Sequence, residues 1–214
     1  MTEYDTLKAE GLNEFTEKRS RFIGTAVPVH TQEEAAAFIA RVKKQYWDAK
    51  HTVSAYVLRS GEQHCSDDGE PQGTAGVPAL NVLLKSGVTD AAVTVTRYFG
   101  GILLGTGGLV RAYTHGVSLA LEAAGIVCMK PCLMLQVHCP YNQYGKVAAL
   151  LQEHGAAVDE TSFAEKVTLQ FHMESGNLPK LENALADATA GGVKPKILGE
   201  TFFPMEVSAE QKQK

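Results

Sequence analysis

The last third of the chain alternates between the hydrophobic period of a strand and that of a helix. Apolar and polar side chains alternate over 133–139, which predicts a strand. Residues 156–161 and 166–173 read as two central strands joined by a turn, and 195–206 reads as the last strand. Apolar residues three and four positions apart predict helices over 142–155, with Asn142 as N-cap, and over 176–188. This order predicts a ferredoxin-like βαββαβ domain, in which two helices cover one face of an antiparallel sheet.

The first part of the chain also mixes the two periods. The predicted strands cover 15–29, which holds one or two of them, 51–58 and 91–99. The predicted helices begin at a capping box of Thr31 and Glu34, near Pro78, and near Gly107, and the last two end at Gly87 and Gly125. The predicted fold class is therefore α+β in both parts.

The two patterns meet at GIVCMKPCL, residues 125–133, where Pro131 is predicted to end one element before the next strand begins. The predicted domains are accordingly 1–130 and 131–207, followed by a charged tail over 208–214.

The composition of the chain bears on where the protein is found in the cell and on which kinds of ligand it binds. The chain of 214 residues has no run of 18 uncharged apolar residues and no signal-peptide pattern, so we expect a cytoplasmic protein with no membrane partner. A net charge of -4 argues against an all-basic nucleic-acid surface. All six arginines nevertheless precede residue 130, and a guanidinium suits phosphate better than an ammonium does. Specific anion recognition is therefore expected in the first domain.

A glycine cluster, RYFGGILLGTGGLVRAY, lies between the predicted strand 91–99 and the helix after it. A helix N-terminus behind a sterically bare loop is a common anion site, and Arg97 and Arg111 flank it. Tyr98 and Phe99 offer surfaces on which a base could stack. The candidate anion or nucleic-acid site comprises Arg97, Tyr98, Gly100, Gly101, Gly105, Thr106, Gly107, Gly108 and Arg111. The alternative is that the glycines serve only tight turns and close packing.

An acidic loop, SDDGEPQGTAGVP, precedes the helix near Pro78. Asp67, Asp68 and Glu70 have three possible roles: capping that helix, holding Arg97 or Arg111 in position, or binding Mg²⁺. His51 and His64 would serve as acid or base in the last case. No catalytic constellation is evident, so the residues favour binding over catalysis, and no cofactor is expected apart from Mg²⁺ under this alternative.

These two stretches, in this order and spacing, closely resemble the signature of the Impact family in its bacterial YigZ branch, and the resemblance covers nearly the whole chain. It implies a first domain similar to a domain of a small-subunit ribosomal protein and to domain IV of elongation factor G, and a second similar to domain V of that factor. The signature positions are Asp67, Asp68, Gly69, Glu70, Thr74, Gly76, Arg97, Gly100, Gly101, Gly105, Gly107, Gly108 and Arg111. Val53 stands where the family usually has cysteine, so thiol chemistry is not expected there.

The resemblance also implies a link to translation. Eukaryotic Impact proteins restrain a kinase that senses amino-acid starvation, partly through an additional N-terminal domain that is not evident here, so the kinase role is not expected. We expect a translation-associated regulatory protein that binds RNA, the ribosome or another phosphate-bearing ligand. The alternative is a Mg²⁺-dependent hydrolase or transferase acting on a phosphorylated small molecule. The sequence leaves the oligomeric state open.

Overall fold

The computed structural model describes residues 2–206 and divides the chain into two compact units, with the side chains of 205 and 206 left undescribed. The first unit contains 4–128 and the second contains 129–205. The strands are β1 (Tyr4–Leu7), β2 (Gly11–Glu17), β3 (Ser20–Pro28), β4 (His51–Val57), β5 (Gln63–Ser66), β6 (Ala91–Tyr98), β7 (Ile126–Cys139), β8 (Ala157–Phe163), β9 (Val167–Met173) and β10 (Lys196–Glu206). The helices are α1 (Gln32–Gln45), α2 (Gly76–Ser86), α3 (Thr106–Ala124), α4 (Tyr144–Glu153) and α5 (Leu178–Thr189). The predicted α+β class is confirmed.

The first unit is built on an antiparallel sheet with the strand order β2-β3-β6-β4-β5. Helices α2 and α3 cover one face, where Val93 and Val95 of β6 pack against Leu83 and Tyr113. Helix α1 covers the other face through a separate cluster that includes Ala92. Successive residues of β6 thus enter different cores, which explains why nearly all of this strand is buried.

The second unit follows the order β7-α4-β8-β9-α5-β10, which is the predicted βαββαβ order. Within this unit the strand order of the sheet is β7-β9-β8, and β10 also pairs with β7. Buried side chains alternate along β9 and pack with Val147 and Leu151 of α4 and Leu181 and Leu185 of α5. The proposed likeness of the two units to ribosomal-protein and elongation-factor domains stays a prediction.

Two local predictions are wrong. Pro131 does not end an element, because β7 continues through it. The ladder between β7 and β9 starts only at Leu133, so the missing N-H of proline costs that ladder no hydrogen bond. Asn142 is not the N-cap of α4, since it lies in a short 3-10 turn, Tyr141–Gln143, before the helix begins. The predicted tail over 208–214 lies outside the described residues.

Candidate functional site

A cavity of about 450 Å³ opens at the N-terminus of α3 in the first unit. The end of β6, the acidic loop and the glycine loop all contribute to its wall. Its lining residues are Lys50, His51, Gly69, Glu70, Pro71, Arg97, Phe99, Leu103, Leu104, Gly105, Thr106 and Leu109. The two sequence motifs therefore meet in space, although 18 residues of chain separate them.

The N-terminus of α3 has no side-chain cap from residues 2–204. Gly105 is the N-cap residue with φ 74°, a conformation that favours glycine, and no side chain in that range accepts a hydrogen bond from the first turn. That turn also contains no acidic residue. The free N-H groups and the positive end of the helix dipole therefore offer a place for an anion.

Arg97 lies at the end of β6 with only 5% of its surface exposed. Its Nη1 donates to Glu70 Oε1 at 2.7 Å, and Nη2 donates to Ser20 Oγ at 3.4 Å. The guanidinium also lies beside two aromatic rings, 5.6 Å from the Phe22 centroid and 5.3 Å from that of Phe99. Its Nε is buried and has no partner among residues 2–206. The guanidinium is thus held by Glu70 while one donor stays unused.

Glu70 joins Arg97 to helix α3. Tyr113 donates its hydroxyl to the same oxygen, Glu70 Oε1, at 2.8 Å. Burial, and then the neighbouring carboxylate charge, raise the pKa of Tyr113 well above its usual value, so the phenol stays protonated as a donor. The arginine, the carboxylate and the phenol form one buried network behind the cavity.

The other two acids of the loop stabilise the loop itself. Asp67 accepts hydrogen bonds from the N-H groups of Gly73, Ala75 and Gly76, at 2.8, 3.0 and 2.7 Å. Partial burial opposes ionisation of Asp67, but these three donors outweigh it and hold the pKa of the carboxyl below its usual value.

Asp68 likewise uses both of its oxygens within the fold. It pairs with Lys43 and accepts from the N-H of Thr52 at 2.7 Å. Residues 2–206 contain no group of three or more histidine, cysteine, aspartate or glutamate side chains arranged to hold a metal ion. The Mg²⁺ alternative stays a prediction, and an ion at this loop would have to displace the present partners of the carboxylates.

His51 brings a ring with a fixed tautomer to the cavity wall. It pairs with Arg97 in the register of β4 and β6. Its Nδ1 lies 2.9 Å from the carbonyl oxygen of Asp68, and because a carbonyl only accepts, Nδ1 carries the proton. In the neutral ring Nε2 is therefore the nitrogen with a free lone pair. His64 does not join this site, since it stacks on Tyr56 and lines a different cavity.

The structure separates several residues that the sequence suggested would act together. Arg111 and Gly108 line a second cavity, whereas Arg97, Gly105 and Thr106 line the first. Tyr98 lines neither, and its hydroxyl donates to Asp48 at 2.7 Å. The reason is that α3 presents residues 105, 106 and 109 to one side and 108, 111 and 112 to the other.

The glycines of the loop serve different purposes. A Cβ on Gly100 would lie 2.0 Å from the backbone of Arg19, so this position requires glycine for close packing. Gly101 and Gly105 have positive φ. Gly107 has neither constraint, because its φ is not positive and an added Cβ would meet nothing within 4 Å. The packing interpretation thus accounts for most of the cluster but not for Gly107.

Some residues of the site gave no signal in the sequence. Tyr113 sits inside a helix with an ordinary apolar face, and Ser20 sits in a hairpin far away along the chain. Lys50 belongs to a loop without a motif, whereas Leu103 and Tyr113 lie within the glycine-cluster stretch but were not predicted to belong to the site. Only the register of the sheet and the packing of α3 bring these residues together.

Comparisons with known proteins match both units. The Impact N-terminal domain matches residues 18–121, and a domain of unknown function, DUF1949, matches 137–191. IMPACT family member YvyE of Bacillus subtilis is 40% identical over 190 residues, which cover 88% of each chain. IMPACT family member YigZ of Escherichia coli is 35% identical over 181 residues, 83% of this chain and 89% of that one.

A solved structure titled as that of an hypothetical protein is 33% identical, with a TM-score of 0.59 over 91% of this chain and 97% of its own. Shorter matches reach a Protein IMPACT homolog of Dictyostelium discoideum and Protein IMPACT of Bos taurus, over 48% and 42% of this chain. No helix in the part of the chain that the structure describes is both long and apolar enough to cross a membrane.

Proposed function

The chain belongs to the Impact family, which is associated with translational regulation, and from this premise we propose that it binds RNA or the ribosome through a phosphate group. In this proposal the phosphate enters the cavity at the N-terminus of α3. The observation that carries the proposal is the buried Nε of Arg97, which has no partner among the described residues and belongs to a side chain in the wall of that cavity.

The donors of this cavity suit a phosphate better than they suit a metal. The uncapped first turn of α3 supplies backbone N-H groups, and Lys50 adds an exposed ammonium to the wall. Glu70 compensates the charge of Arg97, so the positive potential that attracts the ligand comes mainly from the helix end and Lys50. Arg97 then acts as a fixed hydrogen-bond donor through Nε.

The rim of the cavity carries two exposed apolar side chains. Phe99 is 47% exposed and Leu103 is 82% exposed. A flat ring and an aliphatic side chain beside phosphate donors fit a nucleotide, whose base can stack on the ring while its phosphate reaches the helix.

Thr106 offers a test that separates binding from folding. It is exposed, lies in the first turn of α3 and lines the cavity. A carboxylate at this position stabilises the helix through its dipole but repels phosphate. Thr106→Gln matches Thr106→Glu in size and lacks the charge, so it is the control.

We would sediment each variant with purified ribosomes and, separately, measure its binding to tRNA over a salt series. We expect wild type and Thr106→Gln to associate at low salt and to dissociate as salt rises, because phosphate contacts release counterions. Thr106→Glu should bind at least roughly tenfold more weakly while its melting temperature stays equal or rises. Absence of wild-type association at low salt would overturn the proposal, as would equal binding by the two variants.

A further inference from the structure

A second cavity of about 500 Å³ lies on the other side of Leu104, which lines both. Its wall carries three groups that can be cationic, Lys18, Arg111 and His115, together with one acid, Glu17. The two cavities therefore adjoin across a single leucine side chain.

Helix α3 builds one wall of this second cavity with a continuous stripe. Gly108, Arg111 and His115 recur at helical spacing, so they lie on one side of the helix. The ring of His115 packs edge-on against Phe15, with the centroids 4.7 Å apart. Arg111 is exposed, and its side chain makes no hydrogen bond or ion pair within residues 2–206.

The opposite wall comes from a strained hairpin tip. Glu17 pairs with Ser20, so the loop between β2 and β3 consists of two residues, Lys18 and Arg19. Both have positive φ, 45° and 65°, where glycine or asparagine is the usual choice. The chain thus keeps two long, exposed cationic side chains where a small residue would be less strained, which is typical of functional positions.

The hairpin tip is fixed against the glycine loop. The approach of Gly100 to the backbone of Arg19 leaves no room for a Cβ. Lys18 of the hairpin tip and Arg111 of α3 line the same cavity. Neither side chain has a partner among the described residues. Two unpartnered cations on a fixed frame suit an anion that arrives from outside.

We propose that the two cavities are consecutive subsites for neighbouring phosphates of one RNA strand. The first phosphate lies at the N-terminus of α3, and the second lies between Lys18 and Arg111, with Leu104 between them. This inference rests on the proposed function and specifies its ligand as an RNA strand with at least two phosphates. A free phosphate or a single nucleotide would fill only one of the two subsites.

The test compares two ligands, uridine monophosphate and a uridine octamer, by calorimetry over a salt series. The test variant is Lys18→Ala with Arg111→Ala. The matched control is Arg41→Ala with Lys44→Ala on α1, which covers the opposite face of the sheet. All these side chains are exposed, so both double variants should fold, and circular dichroism melting checks this.

We expect wild type and the control to bind the octamer much more tightly than the monophosphate. In the test variant this ratio should fall by roughly tenfold, and the salt slope for the octamer should decrease by about 0.7, the value for loss of one phosphate contact on a single strand. An unchanged ratio and slope in the test variant would overturn the second subsite and leave the proposed function intact. If wild type binds neither ligand, and no ribosomes or tRNA, the proposed function itself fails.

Discussion

The buried network behind the first cavity predicts a large loss of stability from a small chemical change. Glu70→Gln keeps the shape of the side chain but leaves the guanidinium of Arg97 buried without a counterion. Breaking a buried pair in this way costs about 3 to 5 kcal/mol of the free energy of unfolding. At roughly 2 to 4 °C per kcal/mol, the lower figure corresponds to a fall of about 6 to 12 °C in melting temperature.

Tyr113→Phe should have a smaller effect, because it removes one hydrogen bond to Glu70 and leaves the ion pair in place. A hydrogen bond to a charged group contributes about 1.5 to 3 kcal/mol. The order of destabilisation should therefore be Glu70→Gln first and Tyr113→Phe second.

Urea denaturation of each variant measures these effects, and an exposed pair supplies the control. Arg21 and Glu14 also form an ion pair, but their side chains are 52% and 49% exposed. Glu14→Gln should change the free energy of unfolding by at most about 1 kcal/mol, since water screens that pair. If Glu70→Gln cost no more than Glu14→Gln, burial of the pair would not have the importance we assign to it.

Three further outcomes follow from local geometry. Lys18→Gly should raise the free energy of unfolding by about 1 kcal/mol, because glycine adopts a positive φ without strain, and a loss of stability would contradict this. The same change should weaken binding of the uridine octamer, because it removes a cation from the second cavity. Gly107→Ala should stabilise α3 by about 1 kcal/mol in denaturation experiments, since the added methyl meets no neighbour, and destabilisation would contradict this. The folded-state pKa of Asp67 is lowered, so its ionised form stabilises the fold at neutral pH and this contribution disappears as pH falls below about 4. Stability curves should fall more steeply on acidification for wild type than for Asp67→Asn, and parallel curves would refute this assignment.

The three carboxylates of the acidic loop have different partners in the fold. Asp67 holds the loop through three backbone N-H groups, and Asp68 ties it to Lys43 and Thr52. Glu70, in contrast, is directed at Arg97. Two of the predicted roles therefore occur together. Asp67 accepts from the N-H of Gly76 at the start of α2, as the capping role predicts, and Glu70 holds Arg97 in position.

Local rules were enough to derive much of the architecture from the sequence alone. The Thr31 side chain caps α1 through the N-H of Glu34 at 3.2 Å, and Gly87 ends α2 in the left-handed conformation. The hydrophobic periods fixed the order of the elements in the second unit, and the two glycine and acid motifs were specific enough to indicate the family. Such features depend on residues within a few positions of one another, so the sequence records them directly.

Only the tertiary structure decided which of the candidate residues act together. The register of three strands sets Phe22 and His51 on either side of Arg97, and the packing of α3 brings Tyr113 to Glu70. The same helix sends Arg111 to a second cavity, which the spacing of the two arginines did not reveal. These relations join residues that lie tens of positions apart, and they depend on strand register and on the rotation of a helix about its axis, which no local pattern encodes.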